Sequence, residues 1–147
     1  MSFAAKALVT TLAKQHTARS WAYGSSFQVK YFSISAGGHD PTDPTTALAA
    51  DASAVAIPGV VLFGPEAIDS ITWESITCPT FVCTLDQGEY TGELSSVGLI
   101  AEFVYADASD PDPPLVGDQF LYAIYNRPRV SLTSTDGPTT FNLMPFL

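Results

Sequence analysis

The chain has 147 residues, enough for one domain that buries roughly 70% of the surface its unfolded form exposes, so folding requires neither a metal nor a disulfide staple. Only 14% of residues are charged and 46% are hydrophobic, against about 25% charged in ordinary soluble domains, so part of the surface is expected to face something other than water. The net charge of −9 is uneven: residues 1–30 hold Lys6, Lys14, Arg19 and Lys30 and no acid, whereas the rest holds 15 acids against Arg127 and Arg129. Such an acidic body excludes nucleic acid as the expected partner, because phosphates demand clustered Lys and Arg.

Residues 2–19 are expected to be helical. Ser2 stands as the N-cap, Ala4, Ala5, Lys6, Ala7, Leu8, Leu12, Ala13 and Lys14 are good helix formers, and Phe3, Leu8 and Leu12 make a modest apolar stripe. One helix of this length is marginal in water and must pack on its own domain or on a partner. The apolar run ALVTTLA is short, interrupted by threonine and followed by Lys14, which makes a poor secretory signal, and no run approaches the ~20 apolar residues of a membrane span. No membrane partner is expected.

Strands and turns follow. FQVKYFSIS (27–35) is rich in β-branched and aromatic residues and ends at Ala36-Gly37-Gly38; a long irregular stretch runs over 36–57. VVLF (60–63) is a short apolar strand, and PEAIDSI (65–71) is expected to make one helical turn with Pro65 at its start. TFVCTL (80–85) and EYTGEL (89–94) flank Asp86-Gln87-Gly88, a hairpin-type connection. SSVGLIAEFVYA (95–106) sets Val97, Leu99, Ala101, Phe103 and Tyr105 on one face and Ile100, Glu102 and Val104 on the other. DASDPDPPLVGD (107–118) reads as an acidic, proline-rich surface loop. FLYAIYN (120–126) and RVSLTS (129–134) are expected as two strands separated near Arg127-Pro128, and a last strand follows Asp136-Gly137-Pro138. Short strands punctuated by Gly, Pro and Asp predict a mainly β fold, an antiparallel β-sandwich with an N-terminal helix.

The densest polar stretch is SISAGGHDPTDPTT (33–46). His39, Asp40 and Asp43 are its candidate metal or acid/base set, yet HDPTD matches no ligand spacing with a firm mechanism. Paired glycines and two Asp-Pro steps point instead to a rigid connecting loop. Asp107, Asp110 and Asp112 read as a solvated loop tip, with weak calcium binding as the alternative. No GxSxG, P-loop, HExxH or GxGxxG occurs, and His16 and His39 are the only histidines. Neither an enzyme nor a cofactor or metal is expected. Cys78 and Cys83 would project to opposite faces of a strand and read as buried free thiols. Trp21, Tyr23 and Trp73 read as core rings, with exposed sugar platforms as the alternative.

The order of pieces FQVKYFSISAGGHDPTDPTTAL, VLFGPEAID, ELSSVGLIAEFVYA and FLYAIYNRPRVSLTSTDG resembles small bacteriophage tail proteins, the tail-fibre and baseplate components of the tail-collar-fibre type. Ser96-Val97-Gly98-Leu99 and Leu121-Tyr122-Ala123-Ile124, with Pro128 after, carry the resemblance, which covers roughly residues 27–147. It implies a non-enzymatic structural protein of the virion tail, made in the host cytoplasm, that joins other tail or baseplate proteins and copies of itself, as a homotrimer or multiple of three. A carbohydrate-binding, receptor-recognition module is the alternative. On this expectation residues 1–26 form a helical docking arm on a β-sandwich domain of residues 27–147. Phe3, Leu8, Leu12, Trp21 and Tyr23 would be its apolar anchors, and Lys6, Lys14 and Arg19 would steer it to acidic surface.

Overall fold

A computed structural model describes residues 1–75 and 77–146. The fold is mainly β, with one helix near the amino terminus. In chain order the elements are β1 (Ser2–Val9), α1 (Thr11–Tyr23), β2 (Ser26–Ser35), β3 (His39–Asp40), β4 (Asp43–Ala47), β5 (Val61–Ala67), β6 (Ser70–Ser75), β7 (Cys78–Leu85), β8 (Gly92–Tyr105), β9 (Gln119–Leu132) and β10 (Thr139–Phe146). Eight strands make one sheet in the order β5-β2-β8-β9-β1-β10-β7-β6, and β3 and β4 form a separate small hairpin.

The sheet is rolled. Its terminal strands, β5 and β6, are joined by only Ile68 and Asp69. Ile68 N donates to Lys30 O on β2 (3.0 Å) and Asp69 N donates to Val82 O on β7 (2.8 Å), so one connector ties both ends of the strip together. The two halves therefore face each other across a shared core, the sandwich-like arrangement expected of the chain. Phe32, Ile34, Val97, Leu99, Leu85, Phe141 and Leu143 are wholly or almost wholly buried there. Each such side chain contributes about 1.5–3 kcal/mol by leaving water. On β8, Val97, Leu99, Ala101 and Phe103 point into this core as the alternation predicts, while Tyr105 is half exposed.

Four expectations are corrected. Residues 2–9 are a strand, paired in parallel with β10 (Ser2↔Thr140 to Leu8↔Phe146) and antiparallel with β9 (Leu8↔Ile124, Val9↔Ala123). Burial alternates along it up to Ala7 and Val9, so cross-strand packing overrides the helix propensity of its alanines. The segment 1–26 thus does not stand apart as an arm, since its first strand lies inside the sheet. The helix starts later, capped by Thr10, whose Oγ1 accepts from Ala13 N (3.1 Å) and donates to Leu121 O (2.8 Å), and it ends at Gly24, where φ is +92°. Residues 65–71 contain strand, and no helical turn. β7 and β8 are joined by the turn at Asp86, but β7 pairs with β10 and β6, so they are not a hairpin.

The fourth correction concerns Pro128. FLYAIYN and RVSLTS belong to one continuous strand, β9. Its register against β8 shifts between Leu94↔Val130 and Ser96↔Asn126, so three β9 residues, 127–129, face one β8 residue. Proline, lacking an N–H, is tolerated at such a bulge without ending the strand.

The excursion between β2 and β5 covers the outer face of β8 and β9. Ile57 packs on Leu121 and Ile124 over Gly98, forming a second small core. Gly38 is where the excursion crosses the sheet: its N donates to Ser95 Oγ (2.8 Å), and a Cβ there would lie 2.1 Å from Ser95 O. Gly38→Ala is therefore expected to destabilise the fold by about 1–3 kcal/mol, measured by urea denaturation. Amide protection should fall first within residues 36–60.

Candidate functional site

The helix α1 is the element around which polar and apolar surface features gather. By the 3.6-residue period, Leu12, Gln15, His16 and Arg19 share one flank, and Lys14, Thr17, Ala18 and Trp21 share the opposite one. The first flank meets the 107–118 loop across a cleft of about 600 Å³; the second opens on a groove of about 450 Å³.

On the cleft side the helix is clasped to the loop. Arg19 Nη2 donates to Asp110 Oδ1 and to Asp112 O (3.0 Å), and the Asp110 side chain is 1% exposed against 35% for Arg19. Ser25 and Asp112 N also reach the Asp110 carboxylate. Asp110 is thus an anchor, which corrects the reading of the whole acidic loop as a solvated tip. His16 lies edge-on to Phe103 (4.9 Å between centroids) and tilted on Phe120 (4.6 Å). Burial first, and the Arg19 guanidinium second, hold its imidazole below the usual value, with Asp110 opposing.

The groove side is apolar. Its walls are Val9 and Tyr122 from the sheet, Ala18 and Trp21 from the helix, and Pro79, Pro145 and Phe146 from the adjoining strand ends. Trp21 is 85% exposed and Phe146 also reaches solvent. Cys78 lies here with Sγ 3.3 Å from Pro145 O, whereas Cys83 is buried in the core and its thiol is pushed far up by desolvation. Both thiols are free.

The eight expected anchors fall into four groups. Lys14 and Trp21 meet at the groove, while Leu12 and Arg19 line the cleft with Arg19 already paired. Tyr23 is 36% exposed at the helix end, its ring 5.7 Å from the Arg19 guanidinium carbon. Phe3, Lys6 and Leu8 lie on β1. Phe3 stacks on Phe141 (5.4 Å) under the Arg127 guanidinium (4.0 Å), Lys6 is exposed and Leu8 is half-buried. Trp21 and Trp73 are not core rings; Trp73 is 64% exposed on the terminal strand β6.

Tyr122, Pro145 and Phe146 went unnoticed in the sequence as groove residues, because they converge only through the β1–β10 pairing. Leu115 and Val116, 72% and 66% exposed, did carry a signal, as two apolar residues inside an acidic proline loop.

The expected loop chemistry resolves into turn geometry. Asp40 accepts from Thr42 N and Oγ1, and Asp43 from Thr45 N and Oγ1 and from Thr46 Oγ1. These bonds to the ionised form hold both carboxyls below the usual range. His39 Nδ1 sits 2.9 Å from Ser95 Oγ, tying the loop to β8. Among the described residues no three His, Cys, Asp or Glu side chains are grouped to hold a metal ion, and no helix is long and apolar enough to cross a membrane.

The clasp makes two measurable predictions. Asp110→Ala should leave Arg19 without its carboxylate and lower stability by about 1–3 kcal/mol, below the full cost of breaking a buried pair because Arg19 is partly solvated. His16 titrates lower folded than unfolded, so the unfolded chain binds more protons between the two values. Stability should be complete above about pH 6.5 and decline as pH falls through the folded value. Denaturation midpoints followed from neutral to mildly acidic pH should show this decline, and His16→Gln should flatten it. Comparison with protein-family models, with curated proteins and with solved structures finds no match to this chain.

Proposed function

We propose that this protein is a non-enzymatic structural component of a bacteriophage tail, a tail-fibre or baseplate/collar connector that joins neighbouring tail parts, copies of itself included. The reading rests on the resemblance carried by Ser96-Val97-Gly98-Leu99 and Leu121-Tyr122-Ala123-Ile124, and on one structural observation. Large apolar side chains stand in water at the margins of the fold: Trp21 on the helix, Val60 to Leu62 by the terminal strand β5, Ile71 and Trp73 on the terminal strand β6, and Leu115 and Val116 on a loop tip. Apolar residues gathered at unpaired strand edges and loop tips favour contact with other chains. They also account for the low charge content, since a surface meant to be covered has little use for hydration.

The assembly surface then differs from the arm expected from sequence. Lys14 and Trp21 remain candidate contacts, but they project from a helix fixed to the body by the Thr10 cap at its start and by the Arg19–Asp110 pair on its other flank. A homotrimer or a multiple of three remains the expected stoichiometry by family analogy. A second reading, glycan recognition, is favoured by the exposed rings of Trp21 and Trp73, which are flat surfaces on which sugar faces stack.

The deciding measurement is the solution mass of the full chain over a wide concentration range, together with antibody labelling of virions. A connector gives oligomers and tail labelling; a chain that remains monomeric and is absent from particles contradicts it. Saturable glycan binding that is lost in Trp73→Ala would favour the second reading.

A further inference from the structure

We infer that copies of this chain associate head to tail, the tip of the 112–118 turn of one copy entering the apolar groove beside α1 of the next. The inference rests on the connector reading and specifies its self-contact.

The tip is built to project. Pro113 and Pro114 stiffen the approach, and Gly117 N donates to Phe103 O (2.9 Å). Asp118 N donates to Leu115 O (3.0 Å), closing a turn that lifts Leu115 and Val116 into solvent. Asp112 and Asp118 flank these two side chains and are exposed. The Arg19–Asp110 clasp holds the base of the loop. Such a tip loses little conformational freedom on docking.

The groove complements it in shape and in charge. Its volume of about 450 Å³ accommodates two aliphatic side chains, and its walls include Ala18, Trp21, Tyr122, Pro145 and Phe146. Lys14 stands exposed at this groove and, among the described residues, makes no ion pair. An apolar plug flanked by two carboxylates thus faces an apolar socket with a free ammonium beside it. The occupant is a second copy because this chain itself carries the matching plug and cannot use it internally. Plug and socket lie on opposite flanks of α1, and the Arg19–Asp110 clasp keeps the loop on its own side.

A contact between two different patches is heterologous, so it propagates and closes into a ring when the rotation permits, three-fold rings among them. Plug and groove would then form the buried anchor of the interface, with Lys14 and the two aspartates at its rim.

The test uses two variants of the full chain, both altered at exposed positions. The plug variant carries Leu115→Ser and Val116→Ser; the socket variant carries Ala18→Glu and Trp21→Ser. Circular dichroism melts at dilutions where wild type is also monomeric should match wild type for both. In sedimentation velocity each variant alone should self-associate about thirtyfold more weakly than wild type, or worse. Mixed together they should form one-to-one heterodimers and nothing larger, because only one intact plug and one intact socket remain. Wild-type-like assembly by both variants, or a mixture in which neither pairs with the other, overturns the plug-and-socket contact and leaves the connector reading standing on another interface. A wild-type chain that stays monomeric throughout removes this contact and self-assembly together.

Discussion

The insertion of β1 between β9 and β10 is the constraint on which the remaining structure depends. Its parallel register with β10 runs from Ser2↔Thr140 to Leu8↔Phe146, and it bonds the amino-terminal nitrogen to Pro138 O (2.7 Å). Parallel pairing of segments so far apart in sequence is costly in loop entropy, so it persists only where side-chain burial outweighs that cost. Ala7 and Val9 are buried, and Phe3 stacks on Phe141 beneath Arg127. By docking β1 and β10 side by side in the middle of the strip, this pairing completes the roll and leads the chain at Thr10 into α1.

From that position the helix organises the surface. One flank is clasped by Arg19 and Asp110 over a bed formed by His16, Phe103 and Phe120, and the other is left open as an apolar groove. The clasp has a further consequence for shape. It fixes the base of the proline-rich loop to the helix, and beyond that base Leu115 and Val116 stand exposed to solvent. A fold that holds apolar tips and grooves apart on a single copy is suited to satisfying them between copies. An ordinary packed core and exposed apolar side chains thus coexist in one small domain.

Much of the interior was legible in the sequence because strand periodicity reports burial directly. The alternation of Val97, Leu99, Ala101 and Phe103 and the β-branched run of β2 appear in the structure where the pattern places them. What was not legible depends on partners distant in the chain. The alanines of β1 favour a helix locally, and only β10 and β9, more than a hundred residues away, make them a strand. Pro128 reads as a break because the bulge that accommodates it is set by β8. Asp110 reads as one more surface acid until the helix brings Arg19 to it. The exposed tryptophans follow the same logic, since ring size predicts burial only where a facing strand supplies a place.

Native-state hydrogen exchange of the amides in residues 3–9 tests this account most directly. The amides of this strand that are bonded to β10, or to β9 at Leu8 and Val9, should exchange only through global opening, with protection equal to that of β8 and β9. Rapid exchange of these amides while β8 stays protected would mean that the amino-terminal segment is a loose appendage, and the placement of the helix, its clasp and its groove would fall with it.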